Sequence, residues 1–212
     1  MKISIVQDIA VSPNAAKEDA AAVCAYPFSC RAPGGRIVCV YRQGTDKHSR
    51  DGVLMAQGSD DGGVSWGTPG LVYDGLSAAA PESVLVGLIG LDQNGELLAV
   101  FKVVAAEKPE VYIFSEEGRK IRSRFLVARS ADNGETWAKP RELLLVNTPR
   151  DTYPGANPLR FPDGRILLPL EATGVHGEEF VIGAFYDAQA NILAPAFEIA
   201  HDPTGLLSFG DP

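Results

Sequence analysis

The stretch Arg42-Gln43-Gly44-Thr45-Asp46-Lys47-His48 crowds a guanidinium, a carboxyl and an imidazole into seven residues. A guanidinium suits bidentate capture of a carboxylate. A carboxyl whose pKa is raised by partial burial or by neighbouring carboxylates can protonate a leaving oxygen near neutral pH. An imidazole beside it can orient that acid or bind a hydroxyl. Arg50 and Asp51 follow, and Asp51 offers a second acid. Farther on come Glu82, then Arg150, Asp151 and Tyr153, then His176, Glu178 and Glu179. Tyr153, beside Pro154, presents a flat face on which a ring can stack. Single charged loop residues are commonly just solvated, so the elements that gather these loops decide what they do.

Other chemistries find little footing. His48, His176 and His201 are too scattered for a spaced metal-ligand motif, the glycines form no phosphate-cradling GxxxxGK[ST] string, and nothing resembles a serine nucleophile elbow; neither metal nor cofactor is expected. The formal charge of -8 argues against a nucleic-acid partner or an anionic membrane surface. The apolar stretch in Met1 to Asp8 is too short for a signal peptide, and no later run is long enough to span a bilayer, so the chain reads as cytoplasmic. Cys24, Cys30 and Cys39 are odd in number and sit among strand-like residues, which reads as buried free thiols. Without a sign of export, a Cys24 to Cys39 bridge is disfavoured.

Two copies of one short motif organise the chain. Ser59-Asp60-Asp61-Gly62-Gly63-Val64-Ser65-Trp66 and Ser130-Ala131-Asp132-Asn133-Gly134-Glu135-Thr136-Trp137 both read S-x-D-x-G-x-[ST]-W. The aspartate can accept backbone N–H groups two or three residues ahead, the glycine supplies a positive φ, and the tryptophan covers the turn. These residues are read as structural. A decayed third copy lies at Tyr186-Asp187-Ala188-Gln189-Ala190-Asn191-Ile192. A second repeat, a turn with a glycine, a charged residue and an apolar run, recurs at Pro33 to Val40, Gln93 to Val100 and Pro162 to Pro169.

Each unit thus holds a glycine hairpin followed by a boxed hairpin, the grammar of a four-stranded meander. Strands are expected at 23–28, 36–42, 53–58 and 71–73, then 83–91, 96–104, 125–129 and 142–146, then 156–161, 165–171, 180–186 and 197–200. With 45% hydrophobic residues, 22 Gly and 15 Pro in 212 residues, the chain reads as all-β: a β-propeller of four-stranded antiparallel blades, about three of them present. One partial propeller fills 1–212, with blades near 20–74, 82–146 and 155–200 and the start of a further blade at 201–212. In a meander the repeated hairpins share one face, so the second-to-third loops and the inter-blade links share the other. The polar residues above fall on that second face.

The paired boxes on four-stranded units resemble the sialidase superfamily, the Asp-box or BNR-repeat propellers, over nearly the whole chain. The resemblance implies that the boxes lie on the side away from the active site. It also implies six blades, of which three are about half. A truncated or fragmentary chain is the first expectation and two copies around an axis the second, with self-association through open blade edges.

Sialidases place a general-acid aspartate in the first blade's second-to-third loop, and Asp46 holds a similar position. The same resemblance implies substrate contacts on this face, for which Arg42, His48, Glu82, Arg150 and Tyr153 are the candidates. The family's first-blade arginine, from a Tyr-Arg-Ile-Pro-like stretch, is missing: Cys24-Ala25-Tyr26-Pro27 has alanine in its place, and Arg31 or Arg42 would have to substitute. The family's tyrosine nucleophile, its glutamate partner and its other two arginines come from later blades. The implied activity is exo-glycosidic hydrolysis of a terminal sugar. The alternatives are a non-catalytic propeller that binds carbohydrate or protein, and an inactive fragment that retains only the fold.

Overall fold

The structure, a computed structural model, describes residue 11 and residues 23–113, 115, 117–147, 151–174 and 176–204. Two strings of strands fold as meanders. The first sheet is β1 (Val23–Arg31), β2 (Ile37–Gly44), β3 (Val53–Ser59) and β4 (Gly70–Tyr73) in antiparallel order. The second is β5 (Glu82–Leu91), β6 (Leu97–Ala105), β7 (Ser123–Ser130) and β8 (Arg141–Leu145), with a 3-10 turn at Gly118–Lys120 between β6 and β7. The third holds β9 (Asp151–Pro154), β10 (Leu159–Arg160), β11 (Ile166–Thr173), β12 (Glu179–Asp187) and β13 (Ile192–Asp202). Both β9 and β10 pair with β11. The molecule is a partial β-propeller.

Burial explains why β6 is apolar without alternation. Leu97, Ala99, Phe101 and Val103 join one core cluster with Val38, Val40 and Leu54 of the first sheet. Leu98 and Val100 join another with Ile166, Leu168 and Leu170 of the third. A strand packed on both faces reads as a continuous apolar run. Lys102 is the one charged residue in β6.

The two boxes have the same bonding. Asp61 Oδ1 accepts from Ser65 N and Ser59 Oγ, both at 2.8 Å, and its Oδ2 accepts from Ser65 Oγ at 2.6 Å. Asp132 repeats this with Thr136 and Ser130. The N–H groups captured lie four residues ahead, one residue farther than expected, and Ser59 and Ser130 fill the span by accepting from Gly63 N and Gly134 N. The hydrogen bonds from Ser65 and Thr136 pull both carboxyls down to about 2. Gly134 has φ +89 and lies so close to Val38 that a Cβ would press on it at 3.0 Å. Trp137 packs against the cluster between the first two sheets.

The third sheet departs from expectation in three places. Its first strand, expected at 156–161, is split into β9 and β10 around Gly155 to Pro158, since Pro154 and Pro158 have no N–H to give to a ladder. Its last strand begins at Ile192 rather than 197. The decayed box has no serine and no tryptophan, and it closes as a tight turn in which Asp187 Oδ1 accepts from Gln189 N and Ala190 N and Asn191 takes φ +57. The short parallel pairing of β13 with β8, Ile192 with Leu144 and Leu193 with Leu145, ties the outer edges of the second and third sheets.

At the centre, Asn157 joins all three sheets. Its Nδ2 donates to Ser29 O of β1 at 3.0 Å, and its Oδ1 accepts from Ile89 N of β5 at 3.3 Å. The innermost strands therefore converge at the end of the axis nearer the boxes. Among the described residues no helix is long and apolar enough to cross a membrane. The three cysteines are free; Cys39 is buried, but Cys24 is exposed, which corrects the reading of three buried thiols.

Candidate functional site: an axial cavity

Opposite the boxes, a cavity of about 400 Å³ opens on the axis. Its walls come from the innermost strands, Tyr26 and Phe28 of β1, Leu85 and Val86 of β5, and Tyr153 of β9, together with Glu171 and Thr173 of β11, Glu179 of β12, and His48, Tyr112 and Arg119 from the loops. Asn157, Ser29 and Ile89 lie one to three residues past the lining residues Gly155, Phe28 and Val86, so the staple described above sits just beyond the cavity on the box side.

One wall is aromatic. Tyr26 sits in a bulge where the β1–β2 register shifts between Ala25 and Phe28, and its φ is +55. A non-glycine residue there costs on the order of 1 kcal/mol, and the bulge re-aims the side chain. Tyr26 OH and His48 Nε2 share a hydrogen bond of 2.6 Å. The His48 ring meets Tyr112 edge-on, with centroids 6.0 Å apart. Arg50 Nη2 donates to Val111 O at 2.9 Å and so holds the Tyr112 loop against the His48 loop.

The other wall is polar and built in register. Tyr153 faces Glu171 across the β9–β11 pairing, and Asp151 faces Thr173, which in turn faces Glu179 across β11–β12. Thr173 Oγ1 donates to Glu179 Oε1 at 3.0 Å. Burial, reinforced by the Asp151 carboxylate and opposed by Arg119 and Arg50, pushes the Tyr153 phenol up to about 12. Behind this wall the ammonium of Lys102, only 5% exposed, lies 3.5 Å from the Tyr153 ring centroid and donates to Thr152 O at 2.9 Å.

Of the polar residues named from the sequence, His48, Tyr153 and Glu179 line the cavity and the others described do not. Asp46 is exposed, and its Oδ1 turns back to accept His48 N at 3.1 Å. Asp51 is held by Thr45 N and Ser49 Oγ; burial would raise its carboxyl, but those hydrogen bonds outweigh it and the net shift is downward.

Arg42 is fully buried. Nε donates to Val84 O at 2.8 Å, Nη1 to Asp46 O at 2.5 Å, and Nη2 to Ser49 O at 2.6 Å and Ser49 Oγ at 2.9 Å. A guanidinium occupied by four protein acceptors is not placed to clamp a substrate carboxylate. Glu82, 3% exposed, accepts from Arg124, Arg122 and Tyr73 in the seam between the first two sheets. Burial would raise its carboxyl, but Arg124 above all holds it below its usual range. Arg150 lies outside the described residues.

Tyr26, Tyr112, Arg119 and Glu171 were not singled out as ligand contacts from the sequence. One signal in it does mark part of the site. Arg42, Lys102 and Glu171 each stand seven residues after a hairpin glycine, Gly35, Gly95 and Gly164. Two of them reach a carbonyl on the next sheet's first strand, Val84 O for Arg42 and Thr152 O for Lys102.

Successive meanders around one axis, boxes at one end and a cavity at the other, define a propeller of the sialidase type. A model of the BNR repeat-like domain family matches residues 35–195, and the chain belongs to that family. Among curated proteins, none matches in sequence. Among solved structures, the Hadza microbial sialidase Hz136 superposes with a TM-score of 0.73 at 12% identity, over 84% of this chain and 38% of that one. A protein of unknown function from Dyadobacter fermentans gives 0.68 at 19%, over 87% and 57%. Trypanosoma rangeli sialidase, in complex with the inhibitor DANA, gives 0.65 at 14%, over 85% and 32%. These likenesses establish the fold, and the chain spans less than two thirds of each of these relatives.

Proposed function

We propose that the axial cavity binds the terminal sugar of a glycan. The observation that carries this reading is the composition of its wall: three tyrosine rings beside two carboxylates, an imidazole and a guanidinium, around a space of about 400 Å³. Aromatic faces stack on the apolar faces of a pyranose while the polar groups bond its hydroxyls. The Asn157 link at the box end of the axis favours end-on entry from the loop face. The test is titration of the protein with methyl glycosides and with N-acetylneuraminic acid by calorimetry, in the wild type and in Tyr153→Ala. Saturable binding that Tyr153→Ala weakens at least tenfold supports the reading. Absence of binding to every sugar, or equal binding by the variant, rejects it.

Hydrolysis is a second reading, favoured by the two carboxylates, Glu171 and Glu179, that share one wall. Glycoside hydrolysis commonly takes a pair of carboxyl groups flanking the bond. The whole protein would then be an exo-glycosidase of the sialidase kind. On a panel of fluorogenic glycosides, Glu171→Gln or Glu179→Gln abolishes turnover under this reading, while Asp46→Asn, outside the cavity, leaves it. Loss of turnover in Asp46→Asn alone would return the acid role to that loop.

A further inference from the structure

Lys102 poses a question that the fold alone does not answer. Its neighbours across the sheet, Val86 and Phe125, are apolar, and a leucine there would continue the run of Leu98 and Val100 toward the third sheet. Burying an ammonium in such a place is costly. What it faces is β9: the Thr152 carbonyl, the Asp151 carboxylate and the face of the Tyr153 ring. The groups around that ring are in turn Arg50, Arg119 and Glu179. Val86 and Tyr153 both line the cavity, so Lys102 stands directly behind its wall.

We propose that Lys102 is a positioning residue of the axial cavity: its charged ammonium holds the Tyr153 ring in the wall, and ligand affinity falls when that charge is lost. The proposal rests on the reading of the cavity as a sugar site. Attraction of a cation to a ring face needs the charge, whereas the bond to Thr152 O survives with a neutral amine, so deprotonation releases the ring selectively. Burial supplies the means. It pulls the ammonium down to about 8, against the opposing pull of Asp151, which places the change within reach of ordinary buffers.

The test follows the Tyr153 ring resonances of tyrosine-labelled full chain from pH 6.5 to 9.5, assigned with Tyr153→Phe. The wild type shows a titration near pH 8, Lys102→Met shows none, and Lys102→Arg, charged throughout, stays at the low-pH position. A ring that does not titrate, or titrates alike in Lys102→Met, overturns the proposal. In parallel, the affinity for methyl β-galactoside falls roughly tenfold over that range in the wild type, the size that a desolvated cation–ring contact carries, and is flat in Lys102→Arg. Affinity that ignores pH while the ring titrates also overturns it. Failure of the wild type to bind any sugar rejects the sugar site instead, and the ring titration still decides what Lys102 does.

Discussion

Arg42 and Lys102 occupy the same place in successive repeats and do different things there. Each rises from the second strand of its sheet and donates to a carbonyl on the first strand of the next. Arg42 has four acceptors in the fixed fork of a guanidinium, and three of them belong to the loop that follows its own strand. It stays charged at any relevant pH, although burial lowers its pKa against the charges of Asp51 and Asp46. Lys102 has one carbonyl and an aromatic ring, and its charge can be removed. One seam is therefore a permanent clasp and the other a titratable one, and the second stands behind the Tyr153 wall of the cavity.

The largest effect expected is on the permanent clasp. Arg42→Met leaves the Val84, Asp46 and Ser49 carbonyls without their donor, and unpaired buried acceptors cost enough that about 3 kcal/mol of stability should go. Arg42→Lys does not restore it, because one ammonium cannot span the fork. Urea denaturation of both variants checks this; a loss below about 1 kcal/mol would erase the distinction between the two seams.

Next in size is the staple beneath both seams. Asn157→Ala removes the bonds to Ser29 and Ile89, and a loss of roughly 1–2 kcal/mol is expected. Thermal denaturation reads it, and a silent variant would mean that the inner strands converge without it.

The Lys102 seam sharpens the comparison through pH. Its ammonium is held below the usual lysine value, so between about pH 8 and the unfolded value near 10.5 the unfolded chain binds the proton more tightly. Stability of the wild type therefore rises with pH across that window. Lys102→Met should lack this increment and be no less stable than the wild type at pH 7, since a buried charge has been removed. Denaturation at pH 7 and pH 9.5 separates the variants.

The smallest effect belongs to the boxes. Asp61 and Asp132 have carboxyls depressed to about 2, so their hydrogen bonds contribute above the unfolded value near 4 and fade as pH falls toward 2. Asp132→Asn should flatten the loss of stability in that interval. An unchanged acid transition would remove the box from the account.

What was legible in the sequence follows the range of the forces involved. The boxes and glycine hairpins are local chemistry, so S-x-D-x-G-x-[ST]-W and the turn glycines revealed the meander and the face that bears the cavity. The split of β9 from β10 had its cause in Pro154 and Pro158, written in the chain, but a strand of ordinary length was expected across them. The site was harder. Whether Arg42 meets ligand or carbonyls depends on where Val84 falls in the neighbouring sheet, forty-two residues away, and no spacing within one loop discloses that. Asp46 turned back on its own loop for the same reason that aspartates begin turns. Tyr26 was passed over as the neighbour of an absent arginine, when a bulge had aimed its ring inward. Lys102 went unremarked inside an apolar strand, and its meaning comes from its contacts with β9.

The most direct measurement is the map of sugar-induced shifts in the tyrosine ring and tryptophan indole resonances of the labelled protein. Perturbation confined to Tyr26, Tyr112 and Tyr153, with Trp66 and Trp137 unmoved, is the predicted result. Shifts at the two indoles with the three rings silent would place recognition on the box face and contradict an axial site.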